Sequence, residues 1–337
     1  MKKQQLVKLI ESLKKDGYSV YAPIEVGERV LVKPLADAKK YKFVEKIPYY
    51  SYKAFFFAPK EVLFEYENGK MQEPKTDYPK IALVGVRKID LKAIAFYDEA
   101  FAKDSYYQKR RKNIFIVGHD MADEKESPSF LEQHKRDKLE DVPFDIFLMQ
   151  GKTDITVYCQ TPAGMSVLKG IKYKDCKEVK YSGPRKNDEE TLKLKAVMDK
   201  TKFTDKMWQD LGKLCIECGQ CTLSCPTCYC FAVLEEPQLG INKGEKIRVW
   251  DACFYNEFSR VTGEHRFLDA TSKKIHFWYT HKFSRDPKHL KMLGCVGCER
   301  CTHSCPVDIS IRKVLASASL GGAGYGNEQT ENYPLSK

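Results

Sequence analysis

The sequence predicts an α+β protein, in which an N-terminal α/β domain (1–185) precedes an α-helical domain (186–320) and a flexible tail (321–337). Three observations lead to this prediction. Segments with the pattern of buried strands alternate with helical segments in the first half. Two cysteine runs lie in the second half, and a polar stretch around Gly183-Pro184 separates the halves. A chain of 337 residues is long enough for two domains with their own cores.

The first domain is predicted to begin with an amphipathic helix and to continue as strands and helices. Apolar residues recur at helical spacing over 4–17, and this pattern stops at Gly17. A buried strand over 80–90 leads into a helix over 91–102, for which Asp90 is the expected cap. The remaining predicted elements are strands at 18–23, 30–34 and 113–120, and a hairpin over 145–161.

The second domain contains two cysteine runs with the same spacing. They read Cys215-Ile-Glu-Cys218-Gly-Gln-Cys221-Thr-Leu-Ser-Cys225-Pro226 and Cys295-Val-Gly-Cys298-Glu-Arg-Cys301-Thr-His-Ser-Cys305-Pro306. In ferredoxins with this spacing, three cysteines ligate one [4Fe–4S] cluster and the fourth ligates the other. We therefore assign Cys215, Cys218, Cys221 and Cys305 to a first cluster, and Cys295, Cys298, Cys301 and Cys225 to a second. The domain is predicted to be a two-cluster ferredoxin domain, with helices at 190–212, 254–260, 285–293 and from 309 onwards.

Zinc is the alternative metal for such cysteines. Zinc ribbons use pairs of cysteines, whereas each run here has a triplet and a fourth cysteine before proline, which favours iron–sulfur clusters.

Of the other cysteines, Cys159 and Cys176 are expected to be buried, inert thiols. Two interpretations stay open for the rest. Cys228, Cys230 and Cys253 either pack around the first cluster or join His265 in a further metal site.

Composition argues against several other functions. The formal charge is +11, but most Lys and Arg alternate with acidic residues, which is typical of a solvated surface and does not indicate nucleic-acid binding. The sequence has no transmembrane segment and no signal peptide, and its ligand thiolates need a reducing compartment, so we expect it to be cytoplasmic. It also lacks phosphate-binding fingerprints for a nucleotide or flavin, and we assign no catalytic residue.

Several blocks of sequence carry a resemblance to a known family. They include Cys225-Pro-Thr-Cys-Tyr-Cys230, Trp250-Asp-Ala-Cys253, Gly263-Glu-His265 and Phe55-Phe-Phe-Ala-Pro59. With the cysteine runs, these blocks resemble the beta subunit of cytoplasmic sulfhydrogenases and are similar to the corresponding iron–sulfur component of anaerobic sulfite reductase.

The resemblance implies an electron-transfer subunit with no turnover of its own. Electrons would pass between a flavin-containing, NAD(P)-binding subunit and a nickel–iron hydrogenase subunit. Two alternatives stay open, namely the same role in a sirohaem sulfite reductase and a membrane-peripheral subunit linked to quinone or a heterodisulfide.

The chain departs from the resembled family in its first domain. Where relatives commonly have Ala-Cys-Asp, it has Lys88-Ile89-Asp90, and three further cysteine positions correspond to Asp120, Glu126 and Pro128. Because these residues cannot replace four thiolates, the domain is predicted to hold no cluster and to act as a docking platform, and a fragment 1–185 is expected to be colourless.

Overall fold

The computed structural model describes residues 1–122, 128–322, 324–326 and 329. Its strands, in chain order, are β1 (Ser19–Val26), β2 (Arg29–Pro34), β3 (Lys60–Glu67), β4 (Lys70–Gln72), β5 (Ile81–Val86), β6 (Ile114–Met121), β7 (Ile146–Gln150), β8 (Ile155–Cys159), β9 (Cys176–Glu178), β10 (Phe231–Pro237) and β11 (Lys243–Trp250). Its α-helices are α1 (Lys3–Lys15), α2 (Lys53–Phe56), α3 (Lys88–Ala100), α4 (Ser105–Lys112), α5 (Glu132–Lys135), α6 (Pro162–Gly170), α7 (Glu189–Asp199), α8 (Lys206–Leu214), α9 (Gln220–Leu223), α10 (Thr271–Thr280), α11 (Asp286–Leu290), α12 (Arg300–His303) and α13 (Ile311–Ser319).

The first compact unit comprises Met1–Tyr52, Tyr78–Lys186 and Val296–Cys298. Its sheet has the order β2-β1-β5-β6-β7-β8-β9. Strands β1, β5, β6 and β7 are parallel, whereas β2 and β8 are antiparallel to their neighbours β1 and β7. The continuous apolar runs of β5 and β6 are buried almost throughout, as expected for parallel strands that are covered on both faces.

A helix packs on one face of this sheet because its apolar residues lie at helical spacing. Leu9, Ile10 and Leu13 of α1 are fully buried and belong to the same core cluster as Val84 and Val117. Full burial of each of these side chains contributes about 1.5–3 kcal/mol to stability. Helix α1 ends where predicted, since Gly17 adopts a left-handed conformation with φ of 84°.

The second compact unit comprises Lys53–Asp77, Asn187–Cys295 and Glu299–Lys337. Its sheet is antiparallel, in the order β10-β11-β3-β4. Helix α8 packs against α10, and the fully buried Trp208 lies beside Tyr279 with a ring-centroid distance of 5.5 Å. The α+β class and the N-terminal α/β region predicted from the sequence are confirmed.

The second half differs from the helical prediction between the cysteine runs. Residues 231–250 form the hairpin β10–β11, which exposes apolar residues such as Phe231 and Leu234 and therefore lacks the alternation of a half-buried hairpin. The helix predicted over 254–260 is only a 3₁₀ turn, Asn256–Ser259. The helix predicted over 285–293 corresponds to α11, which ends at Leu290 and follows a π-helical turn, His281–Arg285.

The contacts divide the chain between Lys186 and Asn187, close to the predicted domain boundary. Two segments are exceptions, because each groups with the unit formed mainly by the other half of the chain. Lys53–Asp77 groups with the second unit because β3 pairs with β11, and Val296–Cys298 groups with the first unit. In the predicted tail, Ser317 Oγ donates a hydrogen bond to Gly324 O (2.7 Å), and most later residues lie outside the described ones.

Candidate metal centre

One cavity in the second unit brings together thiols from both cysteine runs. It is lined by Cys215, Cys218 and Cys221 of the first run and by Cys301 and Cys305 of the second. Four of these five cysteines, all except Cys301, are the residues that the spacing assigns to the first cluster. The other walls are largely apolar, with Ile216, Phe254, Ile275, Trp278, Val307 and Ile309 among them. Four thiols in an apolar enclosure fit a [4Fe–4S] cluster, which depends on soft sulfur ligands.

The two runs meet through equivalent serines. Ser224 and Ser304 each precede the fourth cysteine of their run, and their Oγ atoms lie 3.0 Å apart in a hydrogen bond. A contact between equivalent positions indicates local two-fold pseudosymmetry, as in an isologous interface. Such an arrangement places the fourth cysteine of each run near the other run, which is what the ligand exchange requires.

Both ligand loops have the same backbone despite different sequences. The second residue after the first cysteine is left-handed in each, Glu217 with φ of 58° and Gly297 with φ of 72°. The residue after the second cysteine is also left-handed, Gly219 with φ of 74° and Glu299 with φ of 56°. Alternation of left- and right-handed residues turns successive N–H groups towards one point and forms an anion-binding concavity.

Side-chain bonds hold the two glutamates in this unfavourable conformation, which costs roughly 1–2 kcal/mol for a residue with a Cβ. Glu217 accepts hydrogen bonds from Lys274 Nζ (2.6 Å) and Thr271 Oγ1 (2.7 Å) of α10. Glu299 accepts one from Arg312 of α13 (2.6 Å). The loop conformation is therefore fixed by the surrounding helices.

Backbone N–H groups also reach ligand sulfurs in the first cavity. Glu217 N donates to Cys215 Sγ, and Ile309 N donates to Cys305 Sγ, each over 3.4 Å. Burial raises the pKa of the Cys215 and Cys221 thiols in this cavity. Since thiolates are the ligands, binding of a metal cluster must release their protons.

The fourth cysteine of the first run has a cationic neighbour. Lys282 Nζ donates to Cys225 Sγ (3.2 Å), Thr227 Oγ1 (3.1 Å) and Gly294 O (2.7 Å), and Gly294 directly precedes Cys295. Lys282 thus bridges the two runs at cysteines assigned to the second cluster. Burial acts to raise the pKa of Cys225, but hydrogen bonding from Cys228 and the charge of Lys282 outweigh it and lower this pKa well below its ordinary value.

The remaining cysteines of the second run have different surroundings. Cys295 is buried, and Cys301 lines the first cavity although the spacing assigns it to the second cluster. Within the first unit, Cys298 packs with Ile89 and Ala93. The assignment of these three cysteines to one cluster stays a prediction.

Of the additional cysteines, Cys228 and Cys253 are buried and Cys230 is partly buried. Cys253 Sγ lies 3.8 Å from Thr222 Oγ1, and its thiol donates to Cys230, which lowers the pKa of Cys230. His265 is instead exposed and packs edge-on against Phe267, with ring centroids 5.0 Å apart. Among the described residues, no three His, Cys, Asp or Glu side chains converge as ligands of a single metal ion. A [4Fe–4S] cluster differs from such a single-ion site, because each of its four ligand thiolates binds a different iron atom.

Two of the four positions at which the resemblance implies cysteines, Ile89 and Asp120, make structural contacts in the first unit. Asp120 pairs with the buried Arg87 and accepts a hydrogen bond from Lys88 N (3.0 Å). Ile89 packs in a small apolar cluster. Pro128 is half-buried, and Glu126 lies outside the described residues.

Sequence reasoning missed two buried lysines of the second unit, Lys53 and Lys282, each 3% exposed. Lys53 Nζ donates to Thr222 O (3.2 Å) and lies 4.1 Å from the centre of the Trp250 ring. Lysine is almost never fully buried. Neither residue stands in a motif, so only the fold could reveal their place beside the cysteines.

Comparison with known proteins agrees with this centre. Residues 214–309 match the model of the 4Fe-4S dicluster domain family. Over 284 residues the chain is 30% identical to sulfhydrogenase 2 subunit beta of Pyrococcus furiosus, an alignment that covers 80% of this chain and 83% of that protein. No solved structure matches. The chain therefore belongs to the family of sulfhydrogenase beta subunits and is an iron–sulfur electron-transfer subunit of an oxidoreductase.

Proposed function

We propose that this chain carries electrons through two [4Fe–4S] clusters between a flavin-containing, NAD(P)-binding subunit and a nickel–iron hydrogenase subunit. The observation that carries the proposal is the cavity that Cys215, Cys218, Cys221 and Cys305 line together. Cys225 beside Lys282 and Gly294 supports the second ligand set. A cubane stores and releases a single electron, and the protein supplies ligands, burial and hydrogen bonds that set its potential.

The name of the relative supports a hydrogenase partner. The relative is named a sulfhydrogenase beta subunit, and a beta subunit implies further subunits. A chain that holds clusters but has no substrate-binding motif is suited to transfer electrons between other subunits. The first unit, in which Ile89 and Asp120 stand at two of the relatives' cysteine positions, would serve for docking.

Purification of the tagged full-length chain from its own cells under anaerobic conditions tests the partners. We expect a flavoprotein and a nickel-containing subunit to co-elute. Co-elution of a sirohaem protein would instead indicate a sulfite reductase, and an isolated chain with its own turnover would contradict the proposal.

The same complex tests the conduit. In a Cys305→Ala complex, turnover at the terminal subunit with an artificial electron donor should persist, whereas turnover linked to NAD(P)H should fall by at least tenfold. A Cys159→Ala complex is the matched control, because Cys159 is a buried thiol of the first unit. Equal NAD(P)H-linked turnover in both complexes would show that electrons bypass the first cluster.

A further inference from the structure

The buried side chain of Lys282 carries a fixed positive charge. An ammonium group has three N–H donors and no acceptor. Lys282 directs all three at acceptors, namely Cys225 Sγ, Thr227 Oγ1 and Gly294 O. These three contacts match the three N–H donors of the charged form.

The fold leaves this ammonium group little freedom. Lys282 lies in the π-helical turn His281–Arg285, a local conformation that is frequent at functional sites. Its Nζ is 5.1 Å from the centre of the Trp278 ring, one α-helical turn earlier in the chain. The cation is therefore held beside the sulfur of Cys225 by the backbone and by an aromatic side chain.

Other charged groups face the same region. Lys53 is a second buried lysine that interacts electrostatically with Cys225, although burial lowers its pKa. Asp286 opposes Lys282, since its carboxylate lies where a Cβ on Gly294 would be and accepts a hydrogen bond from Tyr229 (2.9 Å). Of these groups, Lys282 is the one whose Nζ donates directly to the Cys225 sulfur.

The first cavity has a different electrostatic character. Its walls are mostly apolar, and the nearby Lys274 is neutralised by its ion pair with Glu217 (2.6 Å). Reduction adds one negative charge to a cluster. A buried cation stabilises that charge strongly because the local dielectric constant is low, whereas apolar walls beside a neutralised lysine disfavour it.

We propose that Lys282 makes the second cluster the more easily reduced of the two, so that an electron on the first cluster passes to the second. The proposal rests on the ligand sets of the proposed function. One electron leaves the first cluster and enters the second, and no proton or bond is exchanged. Lys282 acts on the second cluster through its charge and needs no contact with a substrate.

A redox titration of the full-length chain, followed by electron paramagnetic resonance, tests this proposal. The Cys305→Ala variant identifies the signal of the second cluster, because it should retain only that one. In the wild-type chain we expect this signal to appear at the higher potential. Its appearance at the lower potential would overturn the proposal without any Lys282 variant.

Substitution of Lys282 then tests whether its charge causes the higher potential of the second cluster. Lys282→Met should shift the midpoint potential of the second cluster downwards and leave the first nearly unchanged, whereas Lys282→Arg, which keeps the charge, should shift it less. Lys92→Met is the matched control, since Lys92 is also buried and paired with an aspartate, Asp137, but lies in the first unit. Equal potentials in Lys282→Met and wild type, or an equal shift of both clusters, would overturn the role of Lys282.

Two further experiments address the loss of clusters from a Lys282 variant and the presence of clusters in the wild-type chain. If Lys282→Met loses iron, Lys282→Gln carries the same expectation, because its amide retains donors for Gly294 O without the charge. Iron and sulfide analysis of the wild-type chain tests the proposed function independently. A chain without clusters would refute that function, whereas two clusters with unaltered potentials in the variants would refute only the role of Lys282.

Discussion

Replacement of Cys305 by alanine is expected to remove the cluster held by the other cysteine run while the second cluster remains. Cys305 lines the same cavity as Cys215, Cys218 and Cys221. Loss of a fourth thiolate leaves one iron without its protein ligand, so the [4Fe–4S] form is lost, and the iron content should fall by about one per chain if a three-iron cluster stays and by about four if the whole cluster is lost. Iron and acid-labile sulfide analysis, combined with electron paramagnetic resonance of the reduced protein, measures this change.

The reciprocal variant makes the test specific. Cys225→Ala should abolish the other resonance signal, because Cys225 is assigned to the second cluster and lies beside Gly294, which precedes Cys295. Cys159→Ala should retain both signals. A Cys215→Ala variant shows independently which signal belongs to the first run. If Cys215→Ala removed the same signal as Cys225→Ala, and not the signal that Cys305→Ala removes, the ligand exchange would be refuted.

Gly219→Ala should also strongly reduce occupancy of the first cluster. Gly219 adopts φ of 74° between two ligand cysteines, and an added Cβ would lie 2.8 Å from Tyr255 Cε1 and 3.0 Å from Ala252 Cβ. The backbone strain and the close contacts together should cost on the order of 2–4 kcal/mol. Iron content and the thermal unfolding midpoint of the full-length chain measure the effect.

Gly240→Ala is the control that introduces backbone strain without close contacts. Gly240 has φ of 81°, but nothing lies within 4 Å of an added Cβ, so the substitution introduces backbone strain without crowding. We expect full iron content and only a small decrease in the unfolding midpoint. A similar loss of iron in both variants would mean that general destabilisation, and not a local effect at Gly219, removes the cluster.

Local sequence patterns predicted much of the first unit. The apolar spacing before Gly17 predicted α1, and the buried run from residue 80 predicted β5. The predicted start of the next helix was wrong, because α3 begins at Lys88 with Arg87 and not Asp90 at its N-cap. The hairpin predicted over 145–161 corresponds to β7 and β8, which are antiparallel. These elements depend on neighbouring residues, and periodicity reports such interactions directly.

Pairing between distant segments could not be predicted in this way. Strand β3 pairs with β11, bringing Val62 opposite Ile247, and no local pattern specifies a partner so far along the chain. Hairpin β10–β11 was missed because its exposed apolar residues do not alternate. In the candidate site, the cysteine spacing assigned to one cluster four of the five cysteines that line the first cavity, but it assigned Cys301 to the other cluster. Lys282 became evident only from its contacts with Cys225 and Gly294.

The central claim is that this chain holds two [4Fe–4S] clusters on the eight cysteines of its two runs. Iron, acid-labile sulfide and zinc analysis of anaerobically purified, full-length protein tests it most directly. Two cubanes predict about eight iron and about eight sulfide per chain, with negligible zinc. Stoichiometric zinc with little iron and sulfide would contradict the claim.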